Sequence, residues 1–310
     1  MDAPTWSDFW SNFGIFRDAI ITGGLAGLLL GFIGVHVVLR RMVFASSAIA
    51  QAAALGVALS FWIGALVNPE MHAAGHMAGP NAHVTPVLFE PVLWATVASL
   101  LATLVFIANP VRLHLTRESL LGFVFLASGA GAVIVGDKIT QEAHDLSAIL
   151  FGSAVVVQRS DLVLVSLATV LLVGGHILTW RALVFSGFDP RGARVQGLPT
   201  RALDGFLFVS VGLSVALCTR ALGALPVFAF SVLPAMAALV LTSRIGLVFG
   251  LAGLFGALSG VGGYAVAYRG ELPVGATQTA LAALFLGAAL AARSVATRVA
   301  AQRRSPPPSR

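Results

Sequence analysis

The stretch that decides the fold is RRMVFASSAIAQAAALGVAL, which runs from Arg40 to Leu59. Its two arginines end one apolar run, and a second apolar run begins directly after them. An uncharged run of about 20 residues is long enough to cross the hydrocarbon core of a bilayer as an α-helix. Inside the second run, Ser47 and Gln51 lie one helical turn apart and therefore share a face of the predicted helix. The stretch predicts a membrane span that carries a polar pair.

The composition of the whole chain is that of a membrane protein. Of its 310 residues, 57% are hydrophobic and 10% are charged, and the mean hydropathy is +0.91. Soluble domains carry about 25% charged residues, so a soluble fold of this chain would have too little polar surface to face water. The apolar runs are continuous rather than alternating, which argues against a transmembrane β-barrel.

Nine apolar runs are long enough to be spans. They cover residues 18–39, 43–66, 87–109, 119–136, 161–180, 203–221, 223–242, 246–268 and 275–297. The breaks between them are too short for a soluble domain. The sequence therefore predicts an all-α, polytopic membrane helical bundle with about nine spans, or eight if one run does not cross. We expect one transmembrane domain over residues 1–300 and a disordered tail over residues 301–310.

Basic residues are unevenly divided between the two sides of the predicted bundle. With the N-terminus outside and each span reversing the chain, 14 of the 19 Lys and Arg residues lie inside, and 10 of the 13 acidic residues lie outside. Loops rich in Lys and Arg remain in the cytoplasm. We therefore expect the N-terminus outside and the C-terminal tail in the cytoplasm. The net charge of +6 is a topology signal and does not indicate nucleic-acid binding.

Two of the predicted outer segments have unusual sequences. The loop PEMHAAGHMAGPNAHV contains His72, His76 and His83, whose imidazoles are ligands for zinc- or copper-class cations. No Asp or Cys completes a ligand set, so the loop is either a weak cation collector or an ordinary polar loop. Residues 146–157 form an apolar stretch that is too short to cross. This stretch predicts a re-entrant or interfacial outer helix, which requires cover from protein or a water-filled cavity.

One predicted inner loop is long and basic. It runs from Trp180 to Asp204 and contains Asp189 and Pro190, a pair that suits a helix start. The residues that follow, RGARVQGLPTRAL, form a short basic amphipathic segment that includes Arg194 and is interrupted at Gly197. The segment is either an ordinary positive-inside loop or a helix that docks into a groove of a cytoplasmic partner.

Small residues at helical spacing predict close packing between spans. The stripes are Gly23, Gly27 and Gly31 in the first span, and Gly246/Gly250 and Gly256/Gly260 in the eighth. The seventh span contains Pro226 and Pro234, and each proline removes a backbone donor and predicts a kink. The kinks either free carbonyl groups for a transport pathway or are simply tolerated.

Five groups of motifs follow one another along the chain. They are RRM…F with LGVA, then ILFGS, FDPRGARVQGL, LGAL…VLPAMAA and LPVGAT. In this order they resemble the membrane permeases of bacterial ABC-type zinc/manganese/iron importers, over about residues 25–290. The resemblance implies a permease without catalytic activity or cofactor, which homodimerises in the bacterial inner membrane. It also implies a separate cytoplasmic ABC ATPase subunit and a periplasmic or lipoprotein metal-binding protein that delivers the ion.

The resemblance gives the long inner loop a role. Residues 189–204 match the segment that couples the permease to its ATPase, which agrees with the docking alternative above. Asp189, Arg194 and Gly197 are the residues of this segment that we expect to matter for coupling. No nucleotide-binding motif occurs in the chain, so ATP hydrolysis would belong to the partner subunit.

The second span departs from the pattern of the family. Permeases of this kind usually read G-D-x-x-x-H there, with a carboxylate and an imidazole facing the pathway. The matching positions are Ser46, Ser47 and Gln51, which offer a divalent ion only neutral oxygen atoms. We interpret Ser47 and Gln51 either as a pathway-facing pair without strong metal affinity or as interhelical hydrogen-bonding groups.

Two classes of function remain after these observations. The first is the membrane-spanning permease of an ATP-driven importer for a divalent transition-metal cation of the Zn/Mn/Fe class, or for a chelate of such a cation. The second is a stand-alone secondary carrier or channel for a small cation. A carrier is expected to have internal repeats and intramembrane ionisable residues. The chain has no clear repeat, its span centres lack acids, and His36 and His176 lie near span ends, so the importer is favoured.

Overall fold

The computed structural model describes residues 6–11, 13–67, 90–107, 116–138 and 157–304. Regular structure within these ranges is helical throughout. The helices are α1 Trp6–Ser11, α2 Phe13–Leu39, α3 Val43–Val67, α4 Pro91–Ile107, α5 Arg117–Asp137, α6 Arg159–Leu178, α7 Trp180–Phe188, α8 Pro190–Val195, α9 Thr200–Leu222, α10 Ala224–Leu241, α11 Ile245–Gly270 and α12 Val274–Arg304.

The predicted polytopic bundle is confirmed. Within the described ranges, eight helices are long and apolar enough to cross a membrane: α2, α3, α5, α6, α9, α10, α11 and α12. The third predicted run, residues 87–109, corresponds to α4, a shorter apolar helix of 17 residues, which is at the lower limit of length for a crossing. Helix α12 continues as helix to Arg304, past the predicted domain boundary at residue 300.

Two groups of ion pairs mark the opposite ends of the bundle. At the N-terminal end of α9, Asp204 pairs with Arg40, which follows α2. At the C-terminal end of α9, Arg220 pairs with Asp161 in the first turn of α6 and with Glu90 just before α4. A 23-residue helix is about 35 Å long, so the two groups lie on opposite sides. The pairings agree with spans that alternate in direction.

Helix α2 packs backbone to backbone against α11 through the predicted glycine stripe. A Cβ atom built on Gly27 would lie 2.1 Å from the carbonyl oxygen of Gly256, and one on Gly260 would lie 2.1 Å from that of Gly23. Glycine is required at such contacts because any side chain would force the helices apart. The other predicted pair, Gly246 and Gly250, has no neighbour within 4 Å of a built Cβ atom, so that half of the stripe does not pack within the described chain.

Helix α2 lies at the centre of the bundle, and α5 and α12 lie at its edge. In the most apolar 18-residue stretch of each helix, 83% of the residues are buried in α2, but only 17% in α5 and 11% in α12. Exposed leucines and valines cover the outer helices, as is expected where lipid is the solvent. The span α3 contacts α4 and α5 on one side and α9 and α10 on the other, so its residues separate the centre from the edge.

The two prolines of the seventh span have different positions in α10. Pro226 lies in the first turn, where the backbone amide has no partner within the helix, so it does not interrupt the hydrogen-bond ladder. Pro234 lies inside the helix and removes one ladder bond. Only one of the two predicted kink positions is therefore a true interruption.

Candidate translocation and coupling sites

The first polar residue of α3, Ser46, joins two helices. It is fully buried and its hydroxyl donates to the carbonyl of Val43 at 2.9 Å. The hydroxyl of Ser231 in α10 donates to Ser46 Oγ at 3.1 Å. Ser231 also closely approaches α2, because a Cβ atom on Gly34 would lie 2.2 Å from its carbonyl oxygen. Ser46 thus provides interhelical hydrogen bonding at the junction of three spans.

The predicted pair, Ser47 and Gln51, belongs to a different face of α3. Ser47 is buried at 6% exposure, and Gln51 is half-buried with its Oε1 atom shielded and without a hydrogen-bond partner. A Cβ atom on Gly129 of α5 would lie 3.5 Å from that Oε1 atom. The carboxamide therefore faces an edge helix across a glycine. A shielded carbonyl oxygen without a donor is an unusual feature that favours a ligand or water there.

The outer-loop histidines His72, His76 and His83 lie outside the described residues, as does nearly all of the predicted re-entrant stretch at 146–157. Within the described part of the chain, no group of three or more His, Cys, Asp or Glu side chains is placed to hold a metal ion.

The predicted inner loop at 180–204 forms a compact two-helix structure, and this whole loop, which includes the predicted coupling residues 189–204, is called the coupling segment. Helix α7 ends at Phe188, and Asp189 caps α8 by accepting a hydrogen bond from the amide of Gly192 at 2.9 Å. Pro190 occupies the first turn of α8, as the sequence predicts. A Cβ atom on Gly192 would lie 2.2 Å from Asp189 Oδ2. The aspartate therefore holds the start of α8 and needs a glycine opposite it.

Gly197 ends α8 in a Schellman motif. Its φ is +77°, in the region that glycine adopts without steric cost. Its amide donates to the carbonyl of Arg194 at 3.0 Å, and the amide of Leu198 donates to that of Ala193 at 3.0 Å. These are the two bonds that define this C-terminal cap. The break that the sequence predicts at Gly197 is thus a defined turn that redirects the chain toward α9.

The outer surface of the coupling segment is basic and apolar. Arg191, Arg194 and Val195 of α8 are exposed, and Phe188 at the end of α7 is 63% exposed. Val195 is 89% exposed. Arginine together with exposed apolar side chains is the composition of surfaces that bind a protein partner.

Arg40 ties the coupling segment to the bundle. Its side chain is only 13% exposed, and Nη1 lies 2.5 Å from Asp204 Oδ1 in α9. Its Nη2 donates to Ser186 Oγ at 3.2 Å and to the carbonyl of Leu183 at 3.3 Å, both in α7. One guanidinium group therefore joins the α2–α3 turn, α7 and α9. From the sequence, Arg40 was identified only as the end of a span. The opposite charge of Asp204 in the inner loop was the one feature of the sequence that could have indicated this ion pair.

A second ion cluster joins three spans at the other end of the bundle. Arg220 pairs with Asp161, which is 8% exposed, and its Nη1 lies 3.7 Å from Glu90 Oε1. Its Nη2 lies 3.4 Å from Gln158 Oε1. Asp161 also accepts from the Gln158 amide at 3.2 Å and so completes the N-terminal cap of α6. Sequence reasoning placed these charges on one side but did not predict their pairing.

Comparison with known proteins places this geometry in a family. The profile of the ABC 3 transport family matches residues 12–292. The chain is 27% identical over 273 residues to the manganese transport system membrane protein MntC of Listeria innocua, covering 88% of this chain and 89% of that protein. It is 23% identical over 226 residues to the high-affinity zinc uptake system membrane protein ZnuB of Haemophilus influenzae, covering 73% and 77%.

The fold also matches a solved structure. The chain aligns with PsaBC from Streptococcus pneumoniae in complex with Fab at a TM-score of 0.76 and 22% identity, covering 92% of this chain and 95% of that one. The match extends over nearly the whole bundle. Together with the profile match across most of the sequence, it confirms the resemblance found in the motifs, and the chain belongs to the ABC 3 transport family.

Proposed function

We propose that this protein is the membrane-spanning permease of an ATP-driven importer for a divalent transition-metal cation of the manganese and zinc class. The observation that carries the proposal is the coupling segment at 180–204. It presents a basic and apolar surface, and Arg40 connects it to the turn before α3. A force applied to this segment by a partner ATPase would reach the helix that carries Ser47 and Gln51.

The cation class follows from the relatives. Proteins named as manganese and zinc transport membrane proteins match the chain over most of its length. The ligands at the α3 position are neutral and do not select strongly among such ions. Iron, or a chelate of any of these ions, therefore belongs to the same proposal. Ser47 and Gln51 offer a hydroxyl and a carboxamide, which bind such ions less strongly than carboxylate and imidazole. The pathway would therefore pass its ion without holding it.

The position of Gln51 favours a homodimer. Its carboxamide faces α5 across Gly129, and α5 is an edge helix in which only 17% of the most apolar stretch is buried. The polar pair is thus one helix away from the surface of the protomer. A second copy packed against this side would enclose the pair, and closed twofold dimers are the commonest assembly of identical chains.

The remaining partners and the orientation are part of the same proposal. The arginine-bearing coupling segment would bind a cytoplasmic ABC ATPase, and the N-terminus would lie outside. A periplasmic or lipoprotein binding protein would deliver the ion to the outer side, where His72, His76 and His83 would be a weak collecting loop. The predicted tail at residues 301–310 would lie in the cytoplasm.

The test is uptake of radiolabelled manganese and zinc into liposomes that contain the purified permease, a candidate ABC ATPase and a candidate metal-binding protein. We expect uptake that requires ATP hydrolysis and is lost in Arg194→Glu, with Arg298→Glu in α12 as the matched control. Uptake without ATP, driven by a proton or sodium gradient, would overturn the proposal and favour a secondary carrier. Rapid uptake that requires neither would indicate a channel.

A further inference from the structure

Two histidines lie together inside the bundle, away from the α3 polar pair. His36 is in the last turn of α2 and His176 is in the last turn of α6. They are 3% and 0% exposed, and their ring centroids are 5.4 Å apart. Ionisable side chains are costly to place in a membrane span, so a buried pair of them indicates a functional site.

Both imidazoles have a nitrogen without a hydrogen-bond partner. His176 Nδ1 lies 2.8 Å from the carbonyl oxygen of Leu172. A carbonyl only accepts, so Nδ1 carries the hydrogen and the lone pair of the neutral ring is on Nε2. The Nε2 atoms of His36 and His176 are both buried and unpartnered. His176, held by a backbone carbonyl through Nδ1 with Nε2 free, therefore has the usual arrangement of a metal ligand.

The spacing of the rings fits one shared ion. A zinc–nitrogen bond is about 2.0–2.1 Å, so two imidazoles on a tetrahedral ion have ring centres about 5 Å apart. The observed separation of 5.4 Å agrees with that value. A direct hydrogen bond between the rings would instead satisfy both nitrogens, and none is formed.

The surroundings limit what such an ion would be. Phe249 and Phe206 lie against the two imidazoles, each at 4.8 Å between ring centroids, and form an apolar wall. A cavity of about 20 Å³ lies beside His36, between Arg40 and α7, and is large enough for one water molecule next to that imidazole. The positive charge of Arg40 is balanced by Asp204. In the described part of the chain no third His, Cys, Asp or Glu joins the pair, so the ion would be exchangeable.

We propose that His36 and His176 form a two-imidazole binding site for one zinc-class divalent cation, completed by water, at the inner end of the bundle. The site is separate from Ser47 and Gln51. Because His176 lies two residues before the end of α6 and α7 begins at Trp180, a bound ion would cross-link α2 to α6 at the base of the coupling segment. Binding itself does not depend on the proposed function, while an effect on coupling would.

The experiment measures binding to the full chain in detergent, without the ATPase. The parent variant has the other five histidines replaced by glutamine; these are His72, His76, His83, His114 and His144. We expect it to bind one equivalent of Co²⁺ with the visible absorption of a tetrahedral nitrogen-ligated ion, and Zn²⁺ to displace it. His36→Gln and His176→Asn should each lower the affinity at least tenfold. Their combination should lose less than the sum of the two single losses, because each single variant has already lost the joint binding of two imidazoles to one ion.

The design keeps folding separate from binding. Asn at position 176 retains a donor for the Leu172 carbonyl, and a variant that keeps the metal-free melting temperature of the parent reports on binding alone. Affinity within twofold of the parent in both single variants, or independent losses that add in the double variant, would overturn the shared site. Transport in liposomes is not part of the readout, so failure of the proposed import function leaves this result unchanged.

Discussion

At the scale of single residues, the polar positions of α3 have two different roles. Ser46 is fully buried and accepts from Ser231 in α10. Gln51 is only half-buried, and its Oε1 atom has no donor. Neighbouring positions on a helix differ by about 100° in direction, because there are 3.6 residues per turn. One turn of α3 therefore contributes both to interhelical packing and to the proposed pathway.

Restoring the acidic and imidazole ligands on this face should create a metal site. We expect Ser47→Asp combined with Gln51→His to bind Zn²⁺ or Mn²⁺ and to raise the melting temperature of the detergent-purified protein when metal is added. A ligand at 100 times its Kd stabilises the folded state by about 2.7 kcal/mol. The control is Ser46→Asp, which should lower stability without a metal response, because its face is packed against α10. Destabilisation without a metal response in the double variant as well would assign Ser47 and Gln51 to packing.

The cap at Gly197 gives a second prediction for a single residue. Its φ of +77° makes a β-branched side chain costly, by about 1–2 kcal/mol for an ordinary L residue, whereas Asn tolerates this region. We expect Gly197→Val to reduce ATPase stimulation by the permease and Gly197→Asn to retain most of it. Gly205→Ala, at a helical glycine with open space around its Cβ position, is the matched control and should be neutral. Equal activity of the Val and Asn variants would contradict a role for the turn.

At the scale of elements, two kinds of contact hold the bundle together. The α2–α11 contact is made by backbones that meet at glycines, and it supplies the dispersion and packing energy that associates helices in lipid. The contact of α7 and α9 with the α2–α3 turn is made by one guanidinium group. The first kind fixes the distance between helices, and the second fixes the position of the coupling segment.

Widening the glycine contact should destabilise the bundle. A Cβ atom on Gly27 would lie 2.1 Å from the Gly256 carbonyl oxygen, so Gly27→Ala forces α2 away from α11. Overpacking of this kind costs about 1–3 kcal/mol, and we expect a lower melting temperature in detergent. Gly250→Ala makes the same chemical change on α11 where no atom lies within 4 Å, so it should not lower stability. Helix propensity favours alanine over glycine in both variants, so a loss in Gly27→Ala alone reports the contact, and the same loss in both variants would contradict it.

Removing the guanidinium of Arg40 should loosen the coupling segment. We expect Arg40→Gln to lower the melting temperature and to reduce coupling between ATP hydrolysis and transport, because hydrogen bonds to a charged group contribute about 1.5–3 kcal/mol each when buried. Asp204→Asn should have a smaller effect, since the bonds to α7 remain. Arg41→Gln, next to it but exposed, is the control. If Arg40→Gln and Arg41→Gln have the same ratio of metal transported to ATP hydrolysed, Arg40 does not hold the coupling segment in its working position.

At the scale of the whole molecule, the charge asymmetry predicts the orientation. In a Cys218→Ala background, single cysteines at positions 76 and 142 should react with an impermeant reagent added to intact cells, whereas those at 194 and 304 should react only after the membrane is opened. Cys218 is the single cysteine of the sequence, so replacing it by alanine removes any background labelling. It is fully buried, and alanine is small enough to occupy the same space. Labelling of position 194 from outside would invert the proposed topology and separate the coupling segment from any cytoplasmic ATPase.

The sequence by itself determined the class of the protein, the spans and the helix boundaries around the coupling segment. Apolar length, basic breaks, the Asp189–Pro190 start and the Gly197 stop are local properties, so they can be read along the chain. Tertiary structure decided the rest. Arg40 and Asp204 are 164 positions apart, and Arg220 and Asp161 are 59 apart. His36 and His176 likewise come together only because α6 packs on α2. Which helices pack together depends on side-chain shape summed over the entire bundle, so no local pattern reveals these pairs.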